Sequence, residues 1–219
     1  MTHSPIPART TCTVCQGDRL QLLATVDHRV YRRCVRCEAT LMDPAGWLPE
    51  DEEREIYRLH DNAVDDPGYR RFLDKLAEPL MERLAAGQQG LDFGCGPGPA
   101  LADMLAARGL EVTLYDPAFF PDPLPLARQW DFVTCTEVVE HLKDPYTVFG
   151  SLGALLKPGG TLGVMTCFQT DDNRFAGWHY RRDPTHIVFY REKTFHWLAD
   201  HFGWHLTIPR KDVVLLQPK

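Results

Sequence analysis

The chain has 219 residues, of which 44% are hydrophobic, and its formal net charge is −6. This length suits one globular domain with a small appendage, no apolar run approaches the roughly 20 residues of a membrane span, and the negative charge argues against a large nucleic-acid interface. The first residues lack the basic start and apolar stretch of a secretory signal. We therefore expect a cytoplasmic protein outside the membrane, whose cysteines are thiols or metal ligands and not disulfides.

The first segment, residues 1–42, contains two pairs of cysteines with two residues inside each pair: Cys12 and Cys15, then Cys34 and Cys37. Two residues between thiolates form a tight knuckle, and two knuckles can hold one tetrahedral Zn²⁺. Two short strands are expected between the knuckles, at 21–27 and 29–33. A redox-active pair is the competing interpretation, but nothing thioredoxin-like surrounds either pair. So small a segment also needs a metal to supply folding energy. The sequence therefore predicts a structural zinc ribbon.

The role of this predicted ribbon stays open at the level of sequence. Residues 1–40 carry six arginines against three acids, a local charge of +3. One interpretation is a folding staple that packs on the main domain or covers its cleft. The other is a recognition module that uses Arg32, Arg33 and Arg36.

Residues 43–88 are expected to form a connector and two helices that cover a ligand. Turn formers and acids fill 43–54, and helical spacing is found at 52–59 and 69–84. Side chains here either contact a ligand or cap helices, and the candidates are Tyr57, His60, Asn62 and Tyr69.

Residues 89–219 open with an apolar strand that runs into a glycine turn, Leu91-Asp-Phe-Gly-Cys-Gly-Pro-Gly98. The next apolar strand, 110–115, ends at Asp116, eighteen residues beyond Gly98. Glycines let the backbone approach a ligand, and an acid at the end of the second strand can accept both ribose hydroxyls. The pattern predicts a βαβ unit that holds a nucleoside.

The spacing Asp-x-Gly-x-Gly-x-Gly resembles the first motif of the class I S-adenosylmethionine (SAM) methyltransferases. The resemblance covers residues 55–217 and implies an α/β fold with a Rossmann-like, seven-stranded type of sheet and SAM as cofactor. The cofactor contacts that it implies are Tyr57, Tyr69, Asp92, Gly94, Cys95, Gly96, Gly98, Asp116, Pro117 and Glu137.

The chain departs from the family pattern after Asp116. Only residues 117–130 precede the next strand, and prolines and an aspartate interrupt their first half. Because the usual helix and third strand cannot both fit, the sheet should be shortened near strand 3. Phe119 or Phe120 would then pack against the adenine.

The strand at 130–137 leads into Glu137-Val-Val-Glu140-His141. This resembles the Glu-x-x-Glu-His motif of the ubiquinone-pathway O-methyltransferases, whose carboxylates and imidazole bind a divalent ion near the acceptor hydroxyl. Two alternatives remain open: His141 alone is a general base, or Glu137 assists cofactor binding while Glu140 and His141 form a hydrogen-bond network. Mg²⁺ is therefore one of three interpretations.

A long insertion at 168–190 follows the strand at 161–166, which a turn at 157–160 precedes. Long aromatic and polar loops tend to be functional, so we expect this segment to form a lid over the methyl group. Its Asp-Pro-Thr-His sequence resembles a segment of small-molecule methyltransferases. His186 is a base or hydrogen-bond partner in one interpretation and a structural cap in the other. The expected catalytic residues are His186, His141, Glu140 and Tyr180, and the further substrate contacts are Trp178, His179 and Arg182.

Terminal strands at 204–208 and 212–216, the last antiparallel, should complete the sheet. Taken together, these patterns predict a SAM-dependent methyltransferase that acts on a small molecule at an oxygen, nitrogen or carbon atom. One alternative is an RNA or protein methyltransferase that uses the ribbon for recognition, and another is a non-catalytic SAM-binding module. The oligomeric state cannot be read from the sequence.

Overall fold

The computed structural model describes residues 10–59 and 63–219, so His60 and Asn62 lie outside the described residues. The strands are β1 (Leu20–Val26), β2 (Arg29–Cys34), β3 (Thr40–Met42), β4 (Gln89–Phe93), β5 (Glu111–Tyr115), β6 (Trp130–Thr136), β7 (Leu156–Met165), β8 (Val188–Phe189), β9 (Trp204–Arg210) and β10 (Val213–Pro218). The helices are α1 (Glu50–Arg58), α2 (Pro67–Met81), α3 (Ala100–Ala106), α4 (Pro145–Ala154), α5 (His179–Arg182) and α6 (Glu192–Phe202).

The main sheet has the order β5-β4-β6-β7-β10-β9. The first four strands run parallel, and β10 is antiparallel to both β7 and β9. This confirms the Rossmann-like sheet and its shortening. Between Asp116 and Trp130 the described chain forms only a bridge to Phe120 and a 3₁₀ turn at Leu124–Ala127, because the prolines there remove backbone donors and restrict φ. Strand β5 is therefore an edge.

Helices cover both faces of this sheet and give it two apolar cores. On one face, α2 packs on α3 through buried side chains that include Leu73, Leu76 and Leu105. On the other face, the buried side chains of α4 and α6, among them Phe149 and Leu198, belong to a larger core. Burial of these apolar stripes is the main stabilising term for such layers.

The larger core also contains the cysteine segment, which forms a second sheet of order β1-β2-β3-β8. Strand β8 comes from the insertion at 168–190, and it pairs antiparallel with β3 through Thr40↔Phe189 and Leu41↔Val188. The sequence did not predict this pairing. Its cause is burial: all three residues of β3 are buried, and Phe175 and Phe189 pack edge-on against Tyr31 of β2. The ribbon and the lid therefore share one sheet.

Two local features complete the description. The turn predicted at 157–160 is an irregularity within β7, with Gly159 at φ +77°. Among the described helices, none has the length and apolar character needed to cross a membrane.

Candidate active site

The glycine turn after β4 is held in a conformation that needs glycine. Gly94 and Gly96 have φ values of +74° and +65°, a region that L-residues rarely adopt. A Cβ on Gly94 would also lie 2.5 Å from a Val138 methyl group. The turn is therefore fixed both by its own dihedral angles and by the loop that follows β6.

Asp116 fastens this turn to the end of β5. Its carboxylate accepts hydrogen bonds from the backbone N–H groups of Gly96 (3.0 Å), Ala118 (2.8 Å) and Phe119 (3.1 Å). A carboxylate has about four lone-pair sites, so these bonds leave one further site for a ribose hydroxyl. The same acid that was predicted to bind the nucleoside thus also shapes the turn beneath it.

Asp92 is the second acid of the motif, and it is almost completely buried, with 4% of its surface exposed. Burial raises its pKa to about 6; the hydrogen bond from Thr134 (2.7 Å) opposes the rise, and the charge of Asp116 adds to it. A cationic group of a ligand beside Asp92 would favour its ionised form.

A single cavity of about 720 Å³ extends from the glycine turn to the second half of the lid. This volume lies within the roughly 300–1,000 Å³ typical of small-molecule sites. All ten residues that were predicted as cofactor contacts line it, as do Phe119, His141, Tyr180 and His186. Phe120 is not among the lining residues, which leaves Phe119 as the candidate adenine contact.

Two carboxyl groups share one hydroxyl at the inner end of the cavity; Glu137 lines the cavity and Glu140 lies behind its wall. The oxygen of the Tyr180 hydroxyl lies within hydrogen-bond distance of Glu140 Oε1 and 3.1 Å from Glu137 Oε2. Thr166 donates to the other Glu140 oxygen at 3.0 Å. A hydroxyl has one proton to donate, so one of the carboxyl groups must be protonated to complete the array. Burial raises the pKa of both glutamates, and that of Glu137 is raised further by the charge of Glu140.

Glu140 was predicted to be a catalytic residue, and the structure places its side chain behind the wall of the cavity. Its side chain is 0% exposed and does not line the cavity, because the short 3₁₀ turn at Val139–His141 directs it behind Tyr180. Glu140 therefore acts on the cavity only through its neighbours. Glu137, by contrast, lines the cavity and has φ +53°, a strained backbone conformation of the kind found at functional sites.

Two histidine rings stand 4.7 Å apart, between centroids, on the acceptor side of the cavity. His141 donates from Nδ1 to the Thr185 carbonyl (3.1 Å), and His186 donates from Nδ1 to the Tyr180 carbonyl (2.7 Å). A carbonyl can only accept, so each Nδ1 carries a proton, and in the neutral form of either ring Nε2 holds the lone pair. Burial lowers the pKa of His141 to about 4, which keeps its imidazole neutral at pH 7.

The residues that could bind a divalent ion in the structure are not the predicted set of Glu137, Glu140 and His141. The ligand atoms of Glu140, His141 and His186 lie within 4.8 Å of one another, whereas Glu137 is not part of this group. Both oxygens of Glu140 already accept hydrogen bonds from hydroxyls. These contacts favour the hydrogen-bond network over a Mg²⁺ site.

The lid contributes some of its predicted residues and not others. His179 lines the cavity together with Asp183, which accepts from the backbone N–H and the hydroxyl of Thr185. Trp178 packs instead on Phe175, Tyr180 and Phe189, and Arg182 donates to a backbone carbonyl outside the cavity lining. Trp178 therefore belongs to the apolar core that the lid and the ribbon share.

Sequence reasoning missed several polar side chains of the site: Glu53, Thr134, Thr136, Thr166, Asp183. Glu53 accepts from Tyr57 at 2.7 Å. Thr136 lines the cavity, and its buried hydroxyl has no hydrogen-bond partner among residues 10–59 and 63–219. Only Asp183 carried a usable signal, the Asp-Pro-Thr-His sequence that ends at His186. The threonines belong to apolar strands, where their hydroxyls are indistinguishable from ordinary β-branched packing.

The four cysteines of the ribbon converge on one point with all sulfurs buried. The Sγ atoms lie 3.7 Å apart for Cys12 and Cys37 and 3.4 Å apart for Cys15 and Cys34. Zn–S bonds of ~2.3 Å in a tetrahedron place the sulfurs ~3.8 Å apart. The knuckles are also alike, because Gln16 and Glu38 follow the cysteine pairs at φ +56° and +60°. The arrangement fits a closed tetrahedral metal site.

The ribbon arginines are engaged within the protein. Arg32 forms an ion pair with Asp43 at 2.9 Å, Arg33 forms one with Asp172 of the lid at 2.5 Å, and Arg36 lies over the Trp197 ring at 5.5 Å from its centroid. These contacts support the staple interpretation, since two of the three guanidinium groups are paired with carboxylates.

The sheet order, the glycine turn and the acid at the end of β5 define a Rossmann-like nucleoside-binding fold. The chain belongs to the methyltransferase domain family, which matches residues 65–207. The ubiquinone biosynthesis O-methyltransferase of Marinobacter nauticus is 34% identical over 115 residues, 40% of this chain and 48% of that protein. The corresponding protein of Shewanella halifaxensis is 29% identical over 145 residues, covering 54% and 56%. The chain thus spans about half the length of the curated relatives it matches.

Solved structures agree on the fold. The 1,6-didemethyltoxoflavin-N1-methyltransferase of Burkholderia thailandensis, crystallised with 1,6-didemethyltoxoflavin and S-adenosylhomocysteine, has a TM-score of 0.51 at 16% identity and covers 90% of this chain and 98% of its own. An O-methyltransferase family protein of the same organism has a TM-score of 0.50 at 16% identity, covering 78% and 60%. At this identity the likeness shows the fold alone.

Proposed function

We propose that this protein transfers a methyl group from SAM to a small-molecule acceptor. The observation that carries the proposal is the single cavity that joins the glycine turn and Asp116 to the Tyr180, His141 and His186 cluster. A cofactor whose nucleoside lies at the turn would extend its sulfonium toward that cluster. Asp116 would then meet the ribose, and Asp92 would face the amino group of the methionine part.

The chemistry asks little of the protein beyond alignment and one proton transfer. The acceptor atom attacks the methyl carbon in line, the carbon–sulfur bond breaks, and S-adenosylhomocysteine leaves with the electron pair. Positioning supplies much of the rate, and a base removes the acceptor's proton. The Nε2 lone pairs of His186 and His141 are the groups arranged for that step, because their Nδ1 protons are tied to carbonyls.

The charges that line the cavity support an acceptor without phosphate groups. Among the described residues, five carboxylates and no lysine or arginine line it: Glu53, Asp92, Asp116, Glu137 and Asp183. SAM is a cation and suits this surface, whereas a polyanion such as RNA would be repelled. The curated relatives methylate oxygen according to their names, which favours a hydroxyl acceptor here.

The ribbon is proposed to hold one structural Zn²⁺ through Cys12, Cys15, Cys34 and Cys37. The sulfur separations support this assignment. A closed site with four thiolates has no open position for substrate, so the ion would contribute folding free energy and not chemistry.

The test uses SAM with a deuterated methyl group, incubated with a metabolite extract and the purified protein. Mass spectrometry should find a small molecule heavier by one labelled methyl group, in amounts that depend on the protein, and Asp116→Ala should not produce it. Label confined to RNA or protein would contradict the small-molecule proposal. Tight SAM binding without label in any fraction of several extracts would favour the non-catalytic module.

A further inference from the structure

One residue of the lid connects the ribbon to the candidate active site by consecutive backbone hydrogen bonds. Ile187 accepts from the Met42 N–H at the end of β3 (2.8 Å) and donates its own N–H to the Glu140 carbonyl (2.9 Å). His186 is the residue immediately before it. The ribbon strand, the lid and the 3₁₀ turn that carries Glu140 and His141 are thus joined at a single residue beside the candidate base.

Side chains reinforce this junction on both sides of β3. The buried hydroxyl of Thr40 donates to Gln169 Oε1 at 2.7 Å, and the Gln169 N–H donates to the Tyr190 carbonyl at 2.8 Å. Asp172 of the lid pairs with Arg33 at 2.5 Å and also with Arg191 at 2.5 Å. The lid is therefore fixed to the ribbon before and after the segment that contains His186.

The second cysteine knuckle leads directly into β3. Cys34 donates its N–H to the Ala39 carbonyl and accepts from the Glu38 N–H, and Thr40 follows as the first residue of the strand. Glu38 also pairs with Lys193 of α6 at 2.6 Å. A metal bound by the four thiolates would therefore fix the backbone that the lid uses as its pairing partner.

No described residue of the ribbon lines the cavity, whose lining begins at Glu53. The ribbon can act on the reaction only by positioning other groups. The cofactor side of the cavity is built mainly from β4, β5 and their loops, and among the described strands neither β4 nor β5 belongs to the ribbon sheet. Any effect of the ribbon should accordingly fall on the acceptor side.

We propose that the metal-bound ribbon positions His186 and Tyr180 through the β3–β8 junction, so that it sets the acceptor half of the site and leaves the SAM half unchanged. This inference rests on the proposed methyl transfer for its catalytic consequence. Misplacement of a reacting group by 1 Å can lower a rate by ~100-fold. Loosening the junction should therefore lower kcat without lowering the affinity for SAM.

The first experiment removes the metal from the intact protein. It measures hydrogen-exchange protection and the affinity for S-adenosylhomocysteine, and neither measurement requires an acceptor. Hydrogen exchange should show loss of protection at 184–190 while β4 and β6 stay protected. S-adenosylhomocysteine should bind within about threefold of its original affinity. Unchanged protection at 184–190 would overturn the proposal, as would a loss of S-adenosylhomocysteine binding that matches the loss of metal. Neither readout depends on whether the acceptor, or methyl transfer itself, has been identified correctly.

The second experiment keeps the metal and breaks one bond of the junction. Thr40→Val removes the hydroxyl that donates to Gln169, and Thr25→Val is the matched control, because Thr25 is exposed on β1, the ribbon strand farthest from β8. With a turned-over acceptor, Thr40→Val should lower kcat by about tenfold, leave the SAM affinity unchanged and shift the ring resonances of His186. Equal behaviour of the two variants would contradict the positioning role.

Discussion

The two ends of the cavity are built in different ways. Most of the cofactor end comes from one stretch, 92–117, in which Asp116 accepts backbone hydrogen bonds from the glycine turn and from its own loop. Tyr57 and Tyr69, from the helices before this stretch, add to the lining. The acceptor end combines 137–141, Thr166 and the lid, and it depends on a strand from the ribbon almost 150 residues earlier in the chain than β8. A local motif suffices to hold the cofactor, whereas the acceptor end needs a second sheet.

The two ends also differ in how they hold charge. At the cofactor end, Asp116 accepts three backbone N–H bonds that compensate its carboxylate. At the acceptor end, burial raises the pKa of Glu137, Glu140 and Tyr180 and lowers that of His141. Every one of these shifts favours the neutral form. These buried groups are thus held in their neutral forms, whereas Asp183 stays ionised, because Thr185 donates to it and its pKa lies below the usual value.

The largest effect is expected at the acceptor end. His186→Gln keeps a polar side chain of similar size but has no lone pair of comparable basicity, so kcat should fall by about 10²–10⁴-fold while SAM affinity is unchanged. Steady-state kinetics together with calorimetry measure the two quantities. His205→Gln, on the exposed face of β9, is the control. An undiminished kcat in His186→Gln would exclude it as the base, and the same loss in His141→Gln instead would assign the proton to that ring.

The matching effect at the cofactor end is a loss of binding. Asp116→Ala removes the candidate ribose contact and the hydrogen bond from the Gly96 N–H. Because charge-assisted hydrogen bonds contribute about 1.5–3 kcal/mol each, the affinity for SAM should fall by about 100-fold or more. Calorimetry measures the affinity, with exposed Asp200→Ala as the control. Wild-type affinity in a folded Asp116→Ala protein would remove Asp116 from the site.

A smaller, pH-dependent effect should distinguish the two acids of the cofactor end. The pKa of Asp92 is raised to about 6 by burial, so the carboxylate is ionised at pH 7 and about 90% protonated at pH 5. If the cationic amino group of SAM faces Asp92, affinity should fall by about tenfold between these pH values, since the cation favours the ionised form. The Asp92→Asn variant should bind weakly with no such dependence. A flat wild-type profile would place the amino group elsewhere.

The same contrast explains how much the sequence could predict. The Asp92 to Asp116 motif has a fixed spacing and requires glycines, so the glycine turn and the parallel sheet follow from it directly, while the cofactor contacts stay predictions. The cysteine pairs likewise predict convergence, because two intervening residues leave few conformations. The junction at Ile187 left no such signal. An isoleucine in an apolar run does not indicate that its backbone N–H and C=O form hydrogen bonds with two different elements. The position of Glu140 behind the cavity wall could not be predicted either, because spacing places a residue near a site but does not show which way a 3₁₀ turn directs its side chain.

The smallest effect distinguishes the two interpretations of the ribbon, a folding staple and a recognition module. Exposed Arg36 lies over Trp197 of α6, a surface cation–π contact worth about 0.5–1 kcal/mol, and Arg36→Ala should lower the free energy of unfolding by that amount. Methyl transfer to a small molecule should not change, because Arg36 is not among the described residues that line the cavity. Chemical denaturation and steady-state kinetics test both statements, with Arg36→Lys retaining part of the contact. A loss of turnover in Arg36→Ala without a loss of stability would instead identify this arginine as a substrate contact, and the ribbon as the recognition module of the alternative interpretation.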